Sequence, residues 1–345
     1  MIRVLSSAMS IHDSKLTDAA VATARAHANF ALVKYWGKRN SELNLPDVGS
    51  ISITLDALHT TTRVTLDQNL QRDELWLNGQ RSPAAELRAR QVLDRIREAA
   101  GVSSCCRIDS ENNFPTAAGL ASSASGFAAL VTAATAAMRY DTPESKRSEW
   151  ARMGSGSAAR SIFGGFSEMA KGRLDDGTDS VARPLLDAAA WPLEVVVAIT
   201  RREQKGVSST EGMLRTAQTS PFYKAWVKHQ DQDLDLARDA IAAQDFDALA
   251  DVAEASALSM HGLAMSARPG LLYFNPTTLA CLHRVRELRA EGTPVFFTVD
   301  AGPQVKAICM PDHRHQVSTA LSEISGVTEV ISSVLGPAAH LIDTV

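Results

Sequence analysis

The sequence lacks a surplus of positive charge. Its 345 residues carry 35 Lys and Arg against 39 Asp and Glu, so the formal net charge is −4. Proteins that bind nucleic acid or lie on a membrane usually have a basic surplus, and we therefore expect neither kind of partner. The composition still permits a local basic pocket for an anionic small molecule, because net charge averages over the whole surface.

Cysteine is also scarce. The chain has Cys105, Cys106, Cys281 and Cys309, none of them in C-x-x-C spacing, which argues against a zinc knuckle or a redox motif. We interpret them as reduced thiols of a cytoplasmic protein that pack as small apolar side chains. The motifs H-E-x-x-H and G-x-S-x-G are missing too, so the sequence indicates neither a zinc protease nor a triad hydrolase.

Long apolar runs are absent from the sequence. No stretch approaches the roughly 20 apolar residues that span a bilayer. The N-terminal segment carries His12, Asp13 and Lys15 and has no continuous apolar stretch, which argues against a secretory signal. We predict that residues 1–20 form a loose N-terminal arm.

The length suits two lobes, each with a core of its own, since apolar residues make up 45% of the chain. In the first half, β-branched alternation predicts 51–55 and 61–66 as two neighbouring strands. Helical spacing predicts a helix over 83–100 whose apolar face includes Leu87 and Val92. Further strands are predicted at 74–77, 105–110, 162–169 and 194–200, and further helices at 119–138 and 144–153.

Beyond residue 203 the pattern changes to long helices. These are predicted at 209–217, 221–243, 245–264 and 275–291, and they precede strands at 295–299 and 305–310, a helix at 312–323 and a strand at 328–332. Helices followed by two strands, a helix and a strand favour a second α+β lobe. We therefore predict an α+β fold with a first lobe at 21–202 and a second at 203–345.

A loop of small residues runs from Pro115 to Ser125. Gly119 and its small neighbours would let the backbone approach an anion, and the helix that begins here would point free N–H groups at it. Ser122 and Ser123, with the last residue of the loop, add hydroxyls for phosphate oxygens or a metal ion. No Walker lysine follows, and a tightly packed helix start would explain the same residues.

The basic and aromatic segment Lys34-Tyr-Trp-Gly-Lys38-Arg39 follows the apolar run Ala28–Val33. Lysines as point charges and a tyrosine as hydrogen-bond donor suit a phosphorylated small molecule. An exposed basic turn with Trp36 in the core is the alternative, and it explains neither lysine. If the segment alternates as a strand, Lys34, Trp36 and Lys38 share one face and the tryptophan lines the pocket.

The segment Thr298-Val-Asp300-Ala-Gly-Pro303 ends an apolar strand in an aspartate and a Gly-Pro turn. Tight backbone at the end of a strand is a common place for a catalytic carboxylate. An aspartate that caps its own turn is the alternative interpretation.

The segment Gly154-Ser-Gly-Ser-Ala-Ala159 fits G-x-G-x-x-A, a fingerprint of dinucleotide binding. It follows a predicted helix instead of a strand, which argues against a nicotinamide cofactor. Beside it, Arg160 offers a planar, permanently charged guanidinium that suits the binding of a carboxylate.

These motifs, in this order along the chain, carry a family resemblance. The matching segments are 29–39, 50–55, 76–79, 111–125, 154–160, 207–213 and 298–303. The loop at 115–124 resembles the phosphate-binding loop of the GHMP kinase superfamily. K-Y-W-G-K and D-A-G-P are similar to the diphosphomevalonate decarboxylase family within it. The resemblance implies a two-lobed GHMP kinase fold, with a mixed β/α first lobe that holds the phosphate-binding loop and a ferredoxin-like second lobe.

The resemblance also implies an ATP- and Mg²⁺-dependent reaction in a homodimer, in which 5-diphosphomevalonate is phosphorylated on its 3-hydroxyl and then loses phosphate and CO₂. Asp300 would face that hydroxyl, Arg160 would hold the carboxylate and Lys34 would neutralise charge. Substrate contacts would come from Tyr35, Trp36, Gly37, Lys38, Arg88, Ser155, Gly156, Ser157, Ala158, Ala159, Arg160 and Thr210. ATP contacts would come from Asn112, Gly119, Leu120, Ala121, Ser122, Ser123, Ala124 and Ser125, with Ser123 also on Mg²⁺.

The sequence departs from the family pattern at Val48, Gly49 and Gln304. We expect the first two near the substrate pocket, so the phosphorylation state of the substrate stays open. A decarboxylase of 5-phosphomevalonate and a 3-kinase that stops before decarboxylation are the nearest alternatives. A non-catalytic ligand sensor on the same fold is a third, and it conflicts with the presence of both the phosphate loop and the aspartate.

Overall fold

The computed structural model describes residues 20–114, 122–203 and 206–344. Its first part forms β1 (Val21–Val33), β2 (Lys38–Asn40), β3 (Leu45–Pro46), β4 (Ser50–Asp67), β5 (Glu74–Leu77), β6 (Gln80–Arg81), α1 (Pro83–Ala100), β7 (Cys105–Asn112), α2 (Ser122–Ala137), α3 (Glu144–Gly154), a 3-10 helix (Gly156–Ile162), β8 (Phe166–Met169) and β9 (Ala182–Leu186). The predicted loop residues Gly119, Leu120 and Ala121, and residues 1–19 of the predicted arm, lie outside the described residues.

The second part is richer in helix. It forms β10 (Glu194–Ile199), α4 (Ser209–Thr219), α5 (Tyr223–Ala243), α6 (Phe246–Ser266), α7 (Pro276–Ala290), β11 (Val295–Val299), β12 (Val305–Cys309), a 3-10 turn (Pro311–His313), α8 (Arg314–Ser322), β13 (Glu329–Val334) and β14 (His340–Thr344). No helix in the described ranges combines the length and apolarity needed to cross a bilayer.

A large sheet organises the first part. In the described chain it contains eight strands, ordered β14-β1-β4-β7-β5-β6, with β8 beside the start of β4 and β9 beside β8. Alternate residues of β1 are alanines, and Ala22, Ala24 and Ala26 are fully buried against the alanine-rich α2. Because small side chains on both surfaces permit close approach, this helix packs tightly over the middle of the sheet.

The two strands predicted at 51–55 and 61–66 are one continuous strand, so that prediction is wrong. The start of β4, Ser50–Ile53, pairs with β8, and its end, Thr60–Asp67, pairs with β7. Strand β1 runs along both halves and shifts register at a bulge between His27 and Asn29. The bulge accommodates this shift in register, and the backbone of β1 stays extended on both sides of it.

Two smaller predictions also need correction. Leu87 is 62% exposed, because the buried face of α1 is formed by Ala89, Val92, Leu93 and Ile96, and Leu87 lies on another side of the helix. The strand predicted from 162 begins only at Phe166, since Ile162 ends the 3-10 helix and Gly165 makes a turn with φ of 58°.

A four-stranded antiparallel sheet organises the second part, within the residues the structure describes. Its order is β11-β12-β10-β13, and the chain runs strand, helices, strand, strand, helix, strand. This succession and order are those of a ferredoxin-like α+β lobe, as predicted. Strand β10 precedes the predicted lobe boundary at 202/203 yet belongs to this sheet, while β14 returns to pair with β1. The exact boundary stays a prediction.

The two sheets share an apolar cluster that fixes the cleft between them. Phe30 and Ile53 from the first sheet pack with Val195 and Phe296 from the second. Helices α5 and α6 complete the cluster with Leu234 and other side chains. The C-terminal end of β1 and the end of β11 therefore meet at the same place, and the predicted site residues lie there.

Candidate active site

A cleft of about 1180 Å³ opens where β1 ends, between the 3-10 helix, the start of α4 and the turn after β11. Most of the predicted site residues line it. They are Lys34, Tyr35, Trp36, Lys38, Arg88, Ser122, Ser123, Ser155, Gly156, Ser157, Arg160, Thr210 and Asp300. Side chains that are distant in the sequence thus converge on one cavity with several cations, as binding of a phosphorylated ligand requires.

The remaining described candidates do not line the cleft. They are Gly37, Asn112, Ala124, Ser125, Ala158 and Ala159. The alanines are fully buried because they pack helix against sheet, and the Ser125 hydroxyl lies 2.6 Å from Thr60 Oγ1. Gly37 has a φ of 98°, and a β-carbon there would overlap the Tyr223 hydroxyl. These residues surround the cleft, whereas the other described candidates line it.

Asp300 lies between two buried lysines. Its Oδ1 accepts a 2.8 Å hydrogen bond from Lys34 Nζ, and its Oδ2 lies 3.7 Å from Lys306 Nζ. The lysine side chains are 2% and 1% exposed, whereas that of Asp300 is 26% exposed towards the cleft. A carboxylate placed in this way keeps one surface free for a ligand while its charge is compensated from behind.

The pKa of Asp300 is low. Burial alone would raise it, but the charges of Lys34, Lys306 and Arg160 outweigh burial and lower the pKa to about 2. Behind the carboxylate, His261 Nε2 lies 3.3 Å from the Val299 carbonyl, and burial lowers the pKa of this histidine to about 3. At neutral pH, Asp300 is therefore ionised and His261 adds no charge.

Helices of the second part hold Lys34 in position. The Lys34 backbone N–H donates to Ser256 Oγ on α6 at 3.0 Å, and Gln230 Nε2 on α5 donates to its carbonyl at 2.9 Å. The lysine Nζ also donates to the Ala31 carbonyl at 2.8 Å, an oxygen that Thr298 Oγ1 shares at the same distance. This network connects β1 to β11 directly beside the Asp300 carboxylate.

Arg160 is fixed by a ring of neutral acceptors. Its Nε donates to Ser52 Oγ at 2.9 Å and its Nη2 to Asn29 Oδ1 at 3.1 Å, while Nη1 donates to Ser50 Oγ. Its guanidinium carbon lies 6.0 Å from the centre of the Tyr35 ring. Burial lowers the pKa of Arg160 to about 10, so it stays charged at neutral pH. Without a direct carboxylate partner among these contacts, its charge remains available to an anionic ligand.

A second basic group borders the mouth of the cleft. Lys38 Nζ donates to Asn44 Oδ1 at 2.6 Å and to Thr210 Oγ1 at 3.3 Å, which joins β2 to the first turn of α4. Ser208 caps this helix by accepting from Glu211 N. Burial and the nearby charge of Arg88 lower the pKa of Lys38 to about 8. This end of the cleft suits phosphate oxygens more than a neutral group.

The start of α2 contributes hydroxyls. Ser122 and Ser123 line the cleft, and Ser123 Oγ lies 3.1 Å from Ser155 Oγ. No cluster of three His, Cys, Asp or Glu side chains in the described ranges could hold a metal ion. Mg²⁺ commonly takes few protein ligands and several phosphate oxygens, so the serine hydroxyls fit a Mg²⁺ that arrives with a nucleotide.

Several residues with a place in the site received no role from the sequence. Asn29 bridges Arg160 and the Ser157 carbonyl, and Lys306 contacts Asp300. Both are buried polar side chains between apolar neighbours in the sequence, and a buried polar group needs a partner. This position was the available signal, but it does not show which distant residue the side chain contacts.

The departures at Val48 and Gly49 lie near the pocket, as expected, but they do not line it. Val48 is buried in a cluster with Trp36 and Trp226, and a β-carbon at Gly49 would lie 2.7 Å from Leu234 Cδ1. Both positions face α5, which carries Trp226 and Leu234. Gln304 accepts from the Thr200 N–H at 2.7 Å.

The fold and the cleft together define the GHMP kinase type of α+β protein, with a basic site between two lobes. Family models agree: residues 26–182 match the diphosphomevalonate decarboxylase-like N-terminal domain, and residues 195–340 match the mevalonate 5-diphosphate decarboxylase C-terminal domain. The chain belongs to the diphosphomevalonate decarboxylase family.

Individual relatives support this membership. The diphosphomevalonate decarboxylase of Ganoderma lucidum is 38% identical over 319 residues, 86% of this chain and 80% of that protein. A structure of the mevalonate diphosphate decarboxylase from Enterococcus faecalis, concerned with ATP binding mediated by mevalonate diphosphate, has a TM-score of 0.86 at 38% identity, and the match covers 95% of this chain and 100% of that one. A structure of MDDEF in complex with MVAPP, AMPPCP and magnesium gives the same values.

Proposed function

We propose that this chain catalyses the ATP-dependent decarboxylation of (R)-5-diphosphomevalonate. The products are isopentenyl diphosphate, ADP, phosphate and CO₂, in the mevalonate pathway of isoprenoid biosynthesis. The observation that carries the proposal is the ionised Asp300, bound to Lys34 and facing the same cleft as Arg160. The family match and the complexes of relatives with MVAPP and AMPPCP support the substrate and the nucleotide.

The reaction has two stages whose electrons balance. The 3-hydroxyl oxygen forms a bond to the γ-phosphorus of ATP, the bond from that phosphorus to the β-phosphate oxygen breaks, and the hydroxyl proton passes to solvent. The C3–O bond then breaks with departure of phosphate. Loss of CO₂ supplies the electron pair of the new C2=C3 double bond, so no outside oxidant or reductant is needed.

Asp300 acts in this proposal as an orienting and electrostatic group. A carboxylate whose pKa is about 2 is a weak proton acceptor at neutral pH. Phosphoryl transfer through a loose transition state needs alignment and charge compensation more than a strong base. Once phosphate departs, the same negative charge stabilises the cationic character that develops at C3.

The cations divide between the two ends of the substrate. Arg160 would hold the carboxylate that is lost, because its neutral acceptors fix its plane and leave its charge available. Lys38, Arg88 and Thr210 would bind the 5-diphosphate at the mouth of the cleft. Lys34 would compensate the charge of the transferred phosphoryl group.

The nucleotide would lie along the start of α2. Ser122 and Ser123 would contact its phosphates and the N-terminus of the helix would favour their charge. Mg²⁺ bound with the nucleotide, with Ser123 as its protein ligand, supplies further neutralisation of the β- and γ-phosphates.

Product analysis tests the proposal. Purified protein is incubated with ATP·Mg²⁺ and, separately, with mevalonate, 5-phosphomevalonate and 5-diphosphomevalonate. We expect isopentenyl diphosphate, CO₂ and ADP from the diphosphate alone. Turnover only with the monophosphate would indicate a decarboxylase of 5-phosphomevalonate. A stable 3-phosphate without CO₂ would indicate a 3-kinase. Ligand binding without any ADP release would indicate a sensor.

We also propose a homodimer in the cytoplasm, built from two-lobed protomers with a boundary near residue 203. The two separate sheets support the lobes, and exposed Phe222 and Leu272 offer apolar area for a second copy. Light scattering after size-exclusion chromatography measures the mass, and cell fractionation measures the location. A monomer at micromolar concentration would contradict the first part.

A further inference from the structure

Lys306 on β12 is a buried cation beneath the reactive carboxylate. Its side chain is 1% exposed and does not line the cleft, whereas Lys34 does. Its Nζ lies 4.4 Å from the centre of the Phe30 ring and donates to the Gln304 carbonyl at 3.3 Å. A lysine enclosed by an aromatic face and a backbone oxygen is held in place and cannot reach a ligand.

The two lysines therefore differ in what they can do during the reaction. Lys34 is bound to Asp300 and also borders the cavity, so an incoming γ-phosphate competes with the carboxylate for its charge. When phosphate charge enters, Asp300 loses part of its compensation and binds a proton more readily. A second cation that the phosphate cannot reach would prevent this loss.

We propose that Lys306 is a positioning residue, the permanent counter-ion that keeps Asp300 ionised and oriented while Lys34 is drawn towards the transferred phosphoryl group. The inference rests on the proposed phosphoryl transfer to a 3-hydroxyl. It gives different tasks to two lysines that contact different oxygens of one carboxylate.

The other charges around Asp300 sharpen the inference. Arg160, on the 3-10 helix, faces the cleft and is assigned to the substrate carboxylate. His261 on α6 is neutral at working pH, because burial lowers its pKa to about 3. Of the charged groups that face Asp300 in the described chain, Lys306 is the one that no ligand is expected to engage.

Replacement of the charge tests the inference. Lys306→Met keeps the length of the side chain and its apolar packing on Phe30. We expect kcat to fall at least about tenfold, with the KM values for ATP and diphosphomevalonate changed less than about threefold. The acid limb of kcat against pH should move upward by about one unit or more, because Asp300 loses a cation at 3.7 Å.

Two more variants separate a positioning role from a structural one. Lys306→Arg retains the charge, so it should restore much of kcat and return the acid limb towards that of the wild type. Lys171→Met is the matched control, since Lys171 pairs with Asp231 on the surface, and it should leave kcat and its pH profile unchanged. Thermal unfolding verifies that each variant is folded.

These measurements distinguish a failure of the positioning role of Lys306 from a failure of the proposed function. If the wild type releases no ADP with any mevalonate phosphate, the proposed function fails. If the wild type is active and folded Lys306→Met keeps its kcat and acid limb, or changes only KM, the positioning role is overturned. If Lys306→Met does not fold, the pH profile of kcat is measured for Phe30→Leu instead. Loss of the aromatic face should shift the acid limb in the same direction by a smaller amount, and an unchanged profile would reject the inference.

Discussion

Lys34 and Asp300 are 266 positions apart in the sequence, yet Lys34 Nζ donates a 2.8 Å hydrogen bond to Asp300 Oδ1. The lysine follows the last residue of β1 and the aspartate follows the last residue of β11. The two ends meet because the sheets of the two parts share one apolar cluster. Chemistry at this point therefore depends on the packing between two separately organised sheets.

Asp300→Asn should nearly abolish turnover. In the proposed mechanism the change removes the charge that orients the 3-hydroxyl, and it leaves two buried lysines without their counter-ion, so we expect kcat to fall by about 10³-fold or more. ATP binding should survive, and stability should drop by several kcal/mol. ADP release, nucleotide titration and thermal unfolding measure these effects. Asp175→Asn, on the surface beside Arg39, is the control, and an equal loss of activity in both variants would contradict the role.

Lys38 should impose an alkaline limb on kcat/KM. Its pKa in the free protein is about 8, because burial and Arg88 disfavour the charged form. As pH rises through this value, the lysine loses the positive charge that would bind the diphosphate in the proposed site, and kcat/KM should fall. Lys38→Arg should move the limb upward by more than about one unit, since arginine keeps its charge. If the alkaline limb of kcat/KM does not move in Lys38→Arg, a group other than Lys38 causes it.

Gly156→Ala should weaken substrate binding without unfolding the protein. A β-carbon at Gly156 would overlap the hydroxyl of Tyr35, which lines the cleft and has no hydrogen-bond partner among the described residues. We expect KM for the mevalonate phosphate to rise about tenfold or more as the ring moves. In Gly262→Ala, a helical control with open space around the new methyl group, stability should rise by about 0.5–1 kcal/mol and kinetics should be unchanged. Normal KM in Gly156→Ala would show that Tyr35 does not bind substrate.

Glu168 should contribute stability that depends on pH. It is buried on β8 and binds Arg183 and Arg238, which joins β9 and α5 to that strand. Burial raises its pKa, but the arginines outweigh burial and the net pKa lies below the ordinary 4.5. A lowered folded-state pKa stabilises the protein above the unfolded value, and this contribution is lost as pH falls through the folded value.

Glu168→Gln should therefore lower the free energy of unfolding at pH 7 by about 1–3 kcal/mol. The difference from the wild type should narrow as pH falls below 4.5. Urea unfolding at several pH values measures it. Glu203→Gln removes an exposed partner of Arg201 and should change stability by less than about 0.5 kcal/mol. A difference that persists at low pH would assign the effect to packing.

The local sequence pattern correctly predicted helices and strands that have an uninterrupted periodicity or clear signals at both ends. Helix α1 has the predicted bounds, Pro83–Ala100, because proline at its start and glycine after its end mark both termini. Three strands of the second sheet, β11, β12 and β13, were predicted in the second lobe, whereas β10 was predicted as a strand of the first lobe. Strands β9 and β14 were missed because they are short edge strands, and the first of them contains Pro184.

The sequence motifs predicted the residues that line the cleft better than they distinguished them from motif residues that pack in the interior. Lys34, Arg160 and Asp300 meet in one cleft, but Ala158 and Ser125 come from the same motifs and are packed against the sheet. A motif conveys which residues matter and not which of them touch the ligand. Lys306 shows the converse, since its role depends on a distance across two sheets that one strand cannot reveal.

The return of β14 to pair with β1 places the closing strand of the first sheet after the whole of the second. During synthesis, one side of β1 stays unpaired at Ala22–Arg25 until residues 340–344 have left the ribosome. That exposed edge could pair with another chain, and the nascent protein must remain in this state while about 300 residues are added between the two strands, a delay of the order of 15–60 s. Because the edge strand is made last, slower translation lengthens the time during which the β1 edge can associate with another chain.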